Sequence, residues 1–425
     1  MARIPLPRSP RSRIASAATL LVLIGLAVGA YAYEQGRTGS VYPHPNATFI
    51  PQSLKQPHDT PGKPFIWPNY GYTLNHLRDF AAPASLAPPF HQLWQLSEGA
   101  LLEFPPVIYG EKIIQLADNG VLATINRSNG TFIWVRKLGA LSASTPAVSP
   151  TTVYVTLLAR EAGAEAGRVI ALDIENGAVR WSRNIESRTE SSPILSNGVL
   201  YFGSENGTVY ALNASNGNTI WTYHAEGAVK ASPSLQNGIL YFGDYAGDIQ
   251  AVNARTGRLI WRSGSEGAPL GSGTFYSTAA VAFGRVYLGN TDGRIYAYDQ
   301  RTGNLDWAVQ TGAYVYASPA VADAPGLGPT IYLGSYDGHF YAINARSGHV
   351  DWSFDAEGRI SGSATIVGDV VYFSDLGSHR TYGLNITTGH KVFEFPEGAF
   401  DPVVTDGHVI YVTGYNILHA LVPSG

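Results

Sequence analysis

One segment recurs seven times along this chain, and it constrains the fold more than any other feature. VLATINRSNGTFIW, VIALDIENGAVRW, VYALNASNGNTIW, IQAVNARTGRLIW, IYAYDQRTGNLDW, FYAINARSGHVDW and TYGLNITTGHKVF each place an Asp or Asn four residues before a glycine and an aromatic four residues after it. The glycines are Gly130, Gly177, Gly217, Gly257, Gly303, Gly348 and Gly389. The aromatics are Trp134, Trp181, Trp221, Trp261, Trp307, Trp352 and Phe393; Trp94 stands 40 residues before the first, giving eight positions at intervals of 40 to 47. Alternating apolar strands at that period predict an eight-bladed β-propeller, one four-stranded antiparallel blade per repeat. The composition agrees, since 47 Gly, 26 Pro and 14% charged residues suit turns and aromatic strands better than long amphipathic helices.

Within a unit the order of signals is fixed. A Ser-Pro start (SSPIL, ASPSL, ASPAV) opens the first strand, and an aromatic-Gly element (LYFGS, LYFGD, VYLGN, IYLGS) ends the second. The hairpins Asn206-Gly207, Asp292-Gly293 and Asp337-Gly338 follow, read as type I′ turns with two positive φ angles. Then come the VYALN-type strand, the Asn/Asp-to-Gly turn and the strand carrying the aromatic. The Asp or Asn caps its turn, Gly supplies positive φ, and the indole is expected between neighbouring blades. These residues are read as architecture and not as chemistry. The chain ends at NILHALVPSG, a third strand, whereas HQLWQL near residue 91 is a fourth strand with no predecessors. The N-terminal strand is therefore expected to complete the eighth blade within residues 90–425, removing exposed sheet edges.

Ahead of the repeats lie three other segments. Residues 1–13 carry four Arg and no acid, reading as a cytoplasmic basic tail. Residues 14–33 run twenty positions without a charge, long enough for one transmembrane helix, or for a signal peptide cleaved near Ala30-Tyr31-Ala32. Either reading places the remainder outside the cytoplasm: anchored in the cell membrane, or secreted or periplasmic if residues 1–32 are removed. Residues 34–89 hold ten Pro and read as an extended linker. Its aromatic end, with Trp67, Tyr70 and Tyr72, is expected to lie on the propeller. Past residue 13 the chain has 24 Lys+Arg against 32 Asp+Glu, the wrong sign for a nucleic-acid binder.

The spacing of A-x-D/N-x-x-T/S-G-x-x-x-W with Ser-Pro and Y-x-G elements resembles the PQQ-like repeat over about residues 65–425. That family implies an eight-bladed propeller of one of two kinds. Quinoprotein alcohol dehydrogenases bind pyrroloquinoline quinone (PQQ) and Ca2+ above the ring; BamB-type proteins are non-catalytic scaffolds of the cell envelope. The chain departs from the first in its 40-residue blades and its lack of the vicinal Cys pair, and from the second in lacking a Cys for lipid attachment.

No nucleophile elbow, HExxH, phosphate loop or EF-hand loop is present in the sequence. Catalytic, cofactor and metal residues are expected to be none. The variable features instead gather on one rim: the insertion at 160–167, the extended approach at 264–278, and the residue two before each Ser-Pro position. Alignment makes that last set Glu103, Ala143, Glu190, Lys230, Tyr276, Tyr316, Ser361 and Ala399, a ring of charge and Tyr at the channel mouth. Glu103, Glu190, Lys230, Tyr276, Tyr316 and Ser361 are the candidate partner-binding residues. The expectation is a monomeric extracytoplasmic propeller that binds envelope proteins without catalysis; a PQQ-dependent dehydrogenase and a carbohydrate- or cell-wall-binding module are the alternatives.

Overall fold

The computed structural model describes residues 47, 49–52, 54, 63–159, 161–164, 166–267, 273–400 and 403–425. The basic tail, the apolar run at 14–33 and its cleavage sites lie outside the described residues, as does 268–272 of the extended approach. Among the described residues no helix is long and apolar enough to cross a membrane.

Eight antiparallel sheets form the ring. Blade three shows the pattern: Ile194–Ser196, Val199–Phe202, Thr208–Asn213 and Thr219–His224, from the channel outward. The second and third strands are buried on both faces, while the fourth alternates toward solvent. Blade eight takes Val404–Thr405, Ile410–Thr413 and Ile417–Pro423 from the end of the chain and Phe90–Ser97 from its start. The expected strand exchange is thus present, with Phe90 opposite Pro423 and Ser97 opposite Ile417.

The blades are fastened to one another by the repeated aromatics. Each indole N–H donates across the blade boundary to a carbonyl in the next turn: Trp94 to Arg127, Trp134 to Ile174, Trp181 to Ala214, Trp221 to Ala254, Trp261 to Gln300, Trp307 to Ala345 and Trp352 to Ile386. The indole face lies on the turn glycine of that same blade. A Cβ on Gly257 would come within 2.7 Å of the Trp221 ring, and its φ is +70°, so glycine answers two demands at once. Phe393 is the informative exception. Blade eight has no third-to-fourth turn, because its fourth strand comes from the other end of the chain, so there is no turn carbonyl for an indole to reach. The ring instead meets Phe90 of the closing strand edge-on, with centroids 5.4 Å apart.

Two local expectations change. The type I′ geometry is found not at Asn206-Gly207, Asp292-Gly293 or Asp337-Gly338, where only the glycine is left-handed, but at the first-to-second hairpins Asn197-Gly198 and Asn237-Gly238, where both residues are. The loop at 204–207 is longer and is held by an Asx turn, the Asn206 side chain accepting from the Thr208 N–H. The Ser-Pro elements form a belt round the channel. The Thr145, Thr278 and Ser318 amides donate to hydroxyls of Ser192, Ser318 and Ser363 in the following blades.

The aromatic end of the Pro-rich segment lies within the ring. Ile66–Trp67 pairs with the inner strand of blade one and Asp79–Phe80 runs parallel to that of blade seven, giving those two blades a fifth strand. Between them the carbonyls of Pro68, Leu74, Asn75, Leu77 and Arg78 accept from Val148, Leu235, Val281, Val321 and Ile366, one inner strand after another. Trp67, Tyr72, Leu77 and Phe80 are buried. This plug turns sharply at Gly71, where a Cβ would meet the His76 ring at 2.1 Å. The chain before it rests on the side of the ring that carries the first-to-second hairpins and the Asn/Asp-to-Gly turns: Phe49 stacks on Phe283 of one such hairpin, and the Ile50 amide donates to the Phe283 carbonyl.

Candidate functional site

With its lower half filled by the plug, the channel opens as a blind bowl on the opposite rim. Glu103, Glu190, Lys230, Tyr276, Tyr316 and Ser361 all line this one cavity, each from a different blade boundary. Ala143 and Ala399 are buried and do not line it. Tyr70 of the plug is part of the floor, its hydroxyl 2.7 Å from the Ser363 hydroxyl.

The bowl has two chemical halves. On the charged side Lys230 Nζ donates to Glu190 Oε1 at 2.7 Å and pairs with Glu205 Oε1 at 2.9 Å. Tyr276 OH donates to the other Glu190 oxygen at 3.3 Å. Burial works against the Lys230 charge, but hydrogen bonds to Glu190 and Glu205 outweigh it and push the ammonium up to about 12. Burial, reinforced by the Glu190 and Glu103 charges, holds the Tyr276 phenol well above its usual range. Beside this network Glu103 and Asp118 hydrogen-bond through their side chains. Burial, then the charge of Glu103, raises Asp118 to about 7, and Glu103 is raised by burial and by Glu190.

On the other side is a wall of tyrosines. Tyr276 meets Tyr316 edge-on at 5.6 Å, Tyr316 meets Tyr336 at 4.9 Å, and Tyr314 closes the group at 6.0 Å from Tyr316. Tyr314 is 53% exposed. Tyr245 continues the wall toward Lys230, whose ammonium sits 5.4 Å from its ring centroid.

Sequence reasoning missed Glu205, Tyr245 and Tyr336, although a signal existed. Each directly follows the Gly-Ser or Gly-Asp that ends a second strand, so the alignment that gave the mouth residues would also have given a second tier. Asp118 and Tyr70 had no such marker.

The ring of Trp-fastened, four-stranded repeats, closed by the strand Phe90–Ser97 that precedes them and open at a blind mouth, defines a PQQ-like repeat propeller. The family described as outer membrane protein assembly factor BamB matches residues 91–196, 118–263, 165–326 and 245–416, most of the chain, and the chain belongs to that family. No curated protein matches the sequence. Among solved structures, BamB from Moraxella catarrhalis is similar at 16% identity and a TM-score of 0.64, covering 79% of this chain and 98% of that one. The quinohemoprotein alcohol dehydrogenase of Comamonas testosteroni is similar at 15% identity and 0.69, covering 84% and 80%. The computationally designed Ika8 protein is similar at 14% identity and 0.64, covering 78% and 99%. An outer membrane protein assembly factor, an alcohol dehydrogenase and a designed protein share this architecture, so these likenesses describe the fold alone.

Proposed function

We propose that this chain is a non-catalytic protein-binding scaffold of the cell envelope, held outside the cytoplasm by its N-terminal segment and presenting the blind mouth to its partner. The observation that carries this reading is the state of the mouth's charged groups. Glu190, Lys230, Glu205 and Tyr276 are bonded to one another, which fixes a shape and leaves Tyr314, Tyr316 and Tyr336 as the contact surface. Rigid Tyr on a polar rim is the make-up of an interface.

The quinone and calcium of the dehydrogenase reading are a poor match for these residues. The cavity encloses about 60 Å3, against the ~300 Å3 at which small-molecule sites begin. Among the described residues no three His, Asp or Glu gather to hold a metal, and Glu190 is committed to Lys230. The approach of Phe49 and Ile50 along the side of the Asn/Asp-to-Gly turns supports an anchor on that side, with the mouth facing away from the membrane.

The test is direct. A photo-reactive residue at position 314, activated in intact cells, should capture a discrete protein, and the same residue at position 255 on the opposite rim should not. Purified protein given PQQ and Ca2+ should neither gain quinone absorbance nor reduce an acceptor dye with alcohols or sugars; dye reduction would replace the scaffold reading with the dehydrogenase one.

A further inference from the structure

The turns that face away from the mouth differ in charge from one side of the ring to the other. On blades one, two and seven each Lys and Arg at these turns has a counter-charge: Lys112 with Glu175 at 3.0 Å, Arg127 with Glu111 at 2.8 Å and Asp406 at 3.2 Å, Arg180 with Asp173 at 2.8 Å, and Lys391 with Glu394. The blade-three turn, 213–218, carries no charge. Blades four, five and six break this rule. Arg255 and Arg258 of blade four, Arg301 of blade five and Arg346 of blade six are exposed at the Asn/Asp-to-Gly turns, and among the described residues none of the four has a carboxylate partner. Arg346 lies against the Phe49 ring, 5.6 Å from its centroid. One exposed acid, Asp323, stands among the described turns and hairpins of this arc. Apolar groups accompany the arginines, for Leu259 and Ile260 directly follow Arg258 and are exposed, as is Ile50. Unneutralised cations on consecutive blades repel one another, so their gathering needs a reason outside the ring. Basic groups set beside exposed aliphatic ones match the face of an anionic bilayer.

The course of the chain locates that face. It reaches the ring on the same arc, where the Ile50 amide donates to the Phe283 carbonyl and the Phe283 amide donates to Gln52 Oε1 at 3.2 Å. Phe49 stacks on Phe283, with centroids 5.4 Å apart, and the Arg285 guanidinium sits 5.2 Å from the Phe49 centroid. Phe283 belongs to the first-to-second hairpin of blade five. Fifteen residues, 34–48, separate this clamp from the end of the apolar run. Fully extended they reach about 50 Å, and a flexible chain of that length averages about 20 Å end to end. So short a tether holds the arc at high effective concentration against the bilayer, and contacts too weak to recruit a free protein then suffice to orient this one.

We propose that this arc is a lipid-docking face. Arg255, Arg258, Arg301 and Arg346 bind the phosphates of anionic phospholipid headgroups, and Ile50, Leu259 and Ile260 enter the interface, so that the ring tilts with blades four to six nearest the membrane. The inference rests on the anchored reading of residues 14–33. An acidic protein would match the charge as well, but it gives no reason for the cations to gather where the tether arrives.

The test uses the full-length protein in vesicles, and the absence of Cys from the sequence lets a single introduced Cys carry a fluorophore. Asn304→Cys and Asn218→Cys place it one residue past the turn glycines of blades five and three, and Tyr415→Cys places it on the mouth rim. Quenching by a headgroup-nitroxide lipid is read in vesicles containing phosphatidylglycerol and in vesicles of phosphatidylcholine alone. Position 304 should be quenched more than position 218 in the anionic vesicles only, and position 415 in neither. Raising NaCl from about 0.1 M to about 1 M shortens the screening length from about 10 Å to about 3 Å and should erase the difference. Arg255→Gln, Arg258→Gln and Arg301→Gln together should do the same, since each arginine near such a surface favours it about fivefold. The Tm of that triple variant should be unaltered, because the three side chains have no partners inside the fold. Equal quenching at 304 and 218, or the same excess at 304 in neutral vesicles, overturns the docking face. Capture of a discrete protein by a photo-reactive residue at position 301, without quenching, overturns it too and gives the arc to an acidic partner. Protein that leaves the vesicles in alkaline carbonate refutes the anchor and this inference with it, whereas protein that stays and is unquenched at 304 refutes the docking face alone.

Discussion

Replacing Trp307 by Ala measures how much of the ring's stability resides at blade boundaries. Trp307 is 1% exposed, its face covered by Gly348 and its N–H 3.3 Å from the Ala345 carbonyl. A buried Trp hides about 200 Å2, which at about 25 cal/mol per Å2 sets an upper value near 5 kcal/mol. The lost hydrogen bond adds little, because Ala345 O still accepts from Tyr287 OH and Arg285 Nη1 and is not orphaned. The expected cost is therefore about 3–5 kcal/mol, the range for Trp-to-Ala changes in cores. Trp221 makes the same contacts but is partly exposed, so Trp221→Ala should cost less, roughly 2–3 kcal/mol. Guanidinium unfolding followed by circular dichroism gives both values. Equal costs would show that burial does not set the contribution, and a Trp307 value below about 1 kcal/mol would show that indole docking does not hold the blades together.

Deleting residues 90–97 should leave Ile417–Pro423 as a bare edge and shift the protein to oligomers by size-exclusion chromatography; an unchanged monomer with unchanged melting refutes the closure argument. Because burial raises Asp118 to about 7 from a usual 3.8, the folded protein binds protons that the unfolded chain has released, and stability should fall as pH rises from about 4 to about 7. Asp118→Asn should narrow the Tm difference between pH 5 and pH 8 without erasing it, since burial also lifts Glu98 to about 8; an unchanged difference counts against the pair. Tyr316→Ala should weaken capture at the mouth with little loss of Tm, while charge changes at exposed Arg255 and Arg301 on the opposite rim should leave capture intact; the reverse pattern moves the interface to that rim.

Lys230 illustrates how far the sequence led. Its place at the mouth followed from counting two residues back from a Ser-Pro step, because a propeller repeats its backbone and so its loop positions. Its partners did not follow. Glu190 lies one blade away at the same position, and Glu205 on another loop, and only the radius of the closed ring sets them within 3 Å. Lys230→Glu is consequently no neutral rim change, since it would crowd three carboxylates. The plug was illegible for a different reason. Residues 65–80 make short pairings with two blades and single bonds with others instead of one continuous ladder, so neither a period of two nor of 3.6 marks them. Phe393 lay between these cases. The departure from Trp was visible, and so was the missing turn in blade eight, but their connection needed the docking geometry.

The shared eighth blade has a consequence for assembly. Phe90–Ser97 cannot find its partner until Ile417–Pro423 exists, more than 300 positions later, so the longest loop in the molecule is closed by its last-made strand. Until then each new blade has only its predecessor to lean on, and the plug, made before any of them, waits at the centre with a hydrogen bond for most of the inner strands. It is in effect a mandrel on which the blades can be laid in order. A chain emerging on the far side of a membrane from its N-terminus would carry that guide out first and the closing seam last, holding an unfinished ring open for as long as translocation takes.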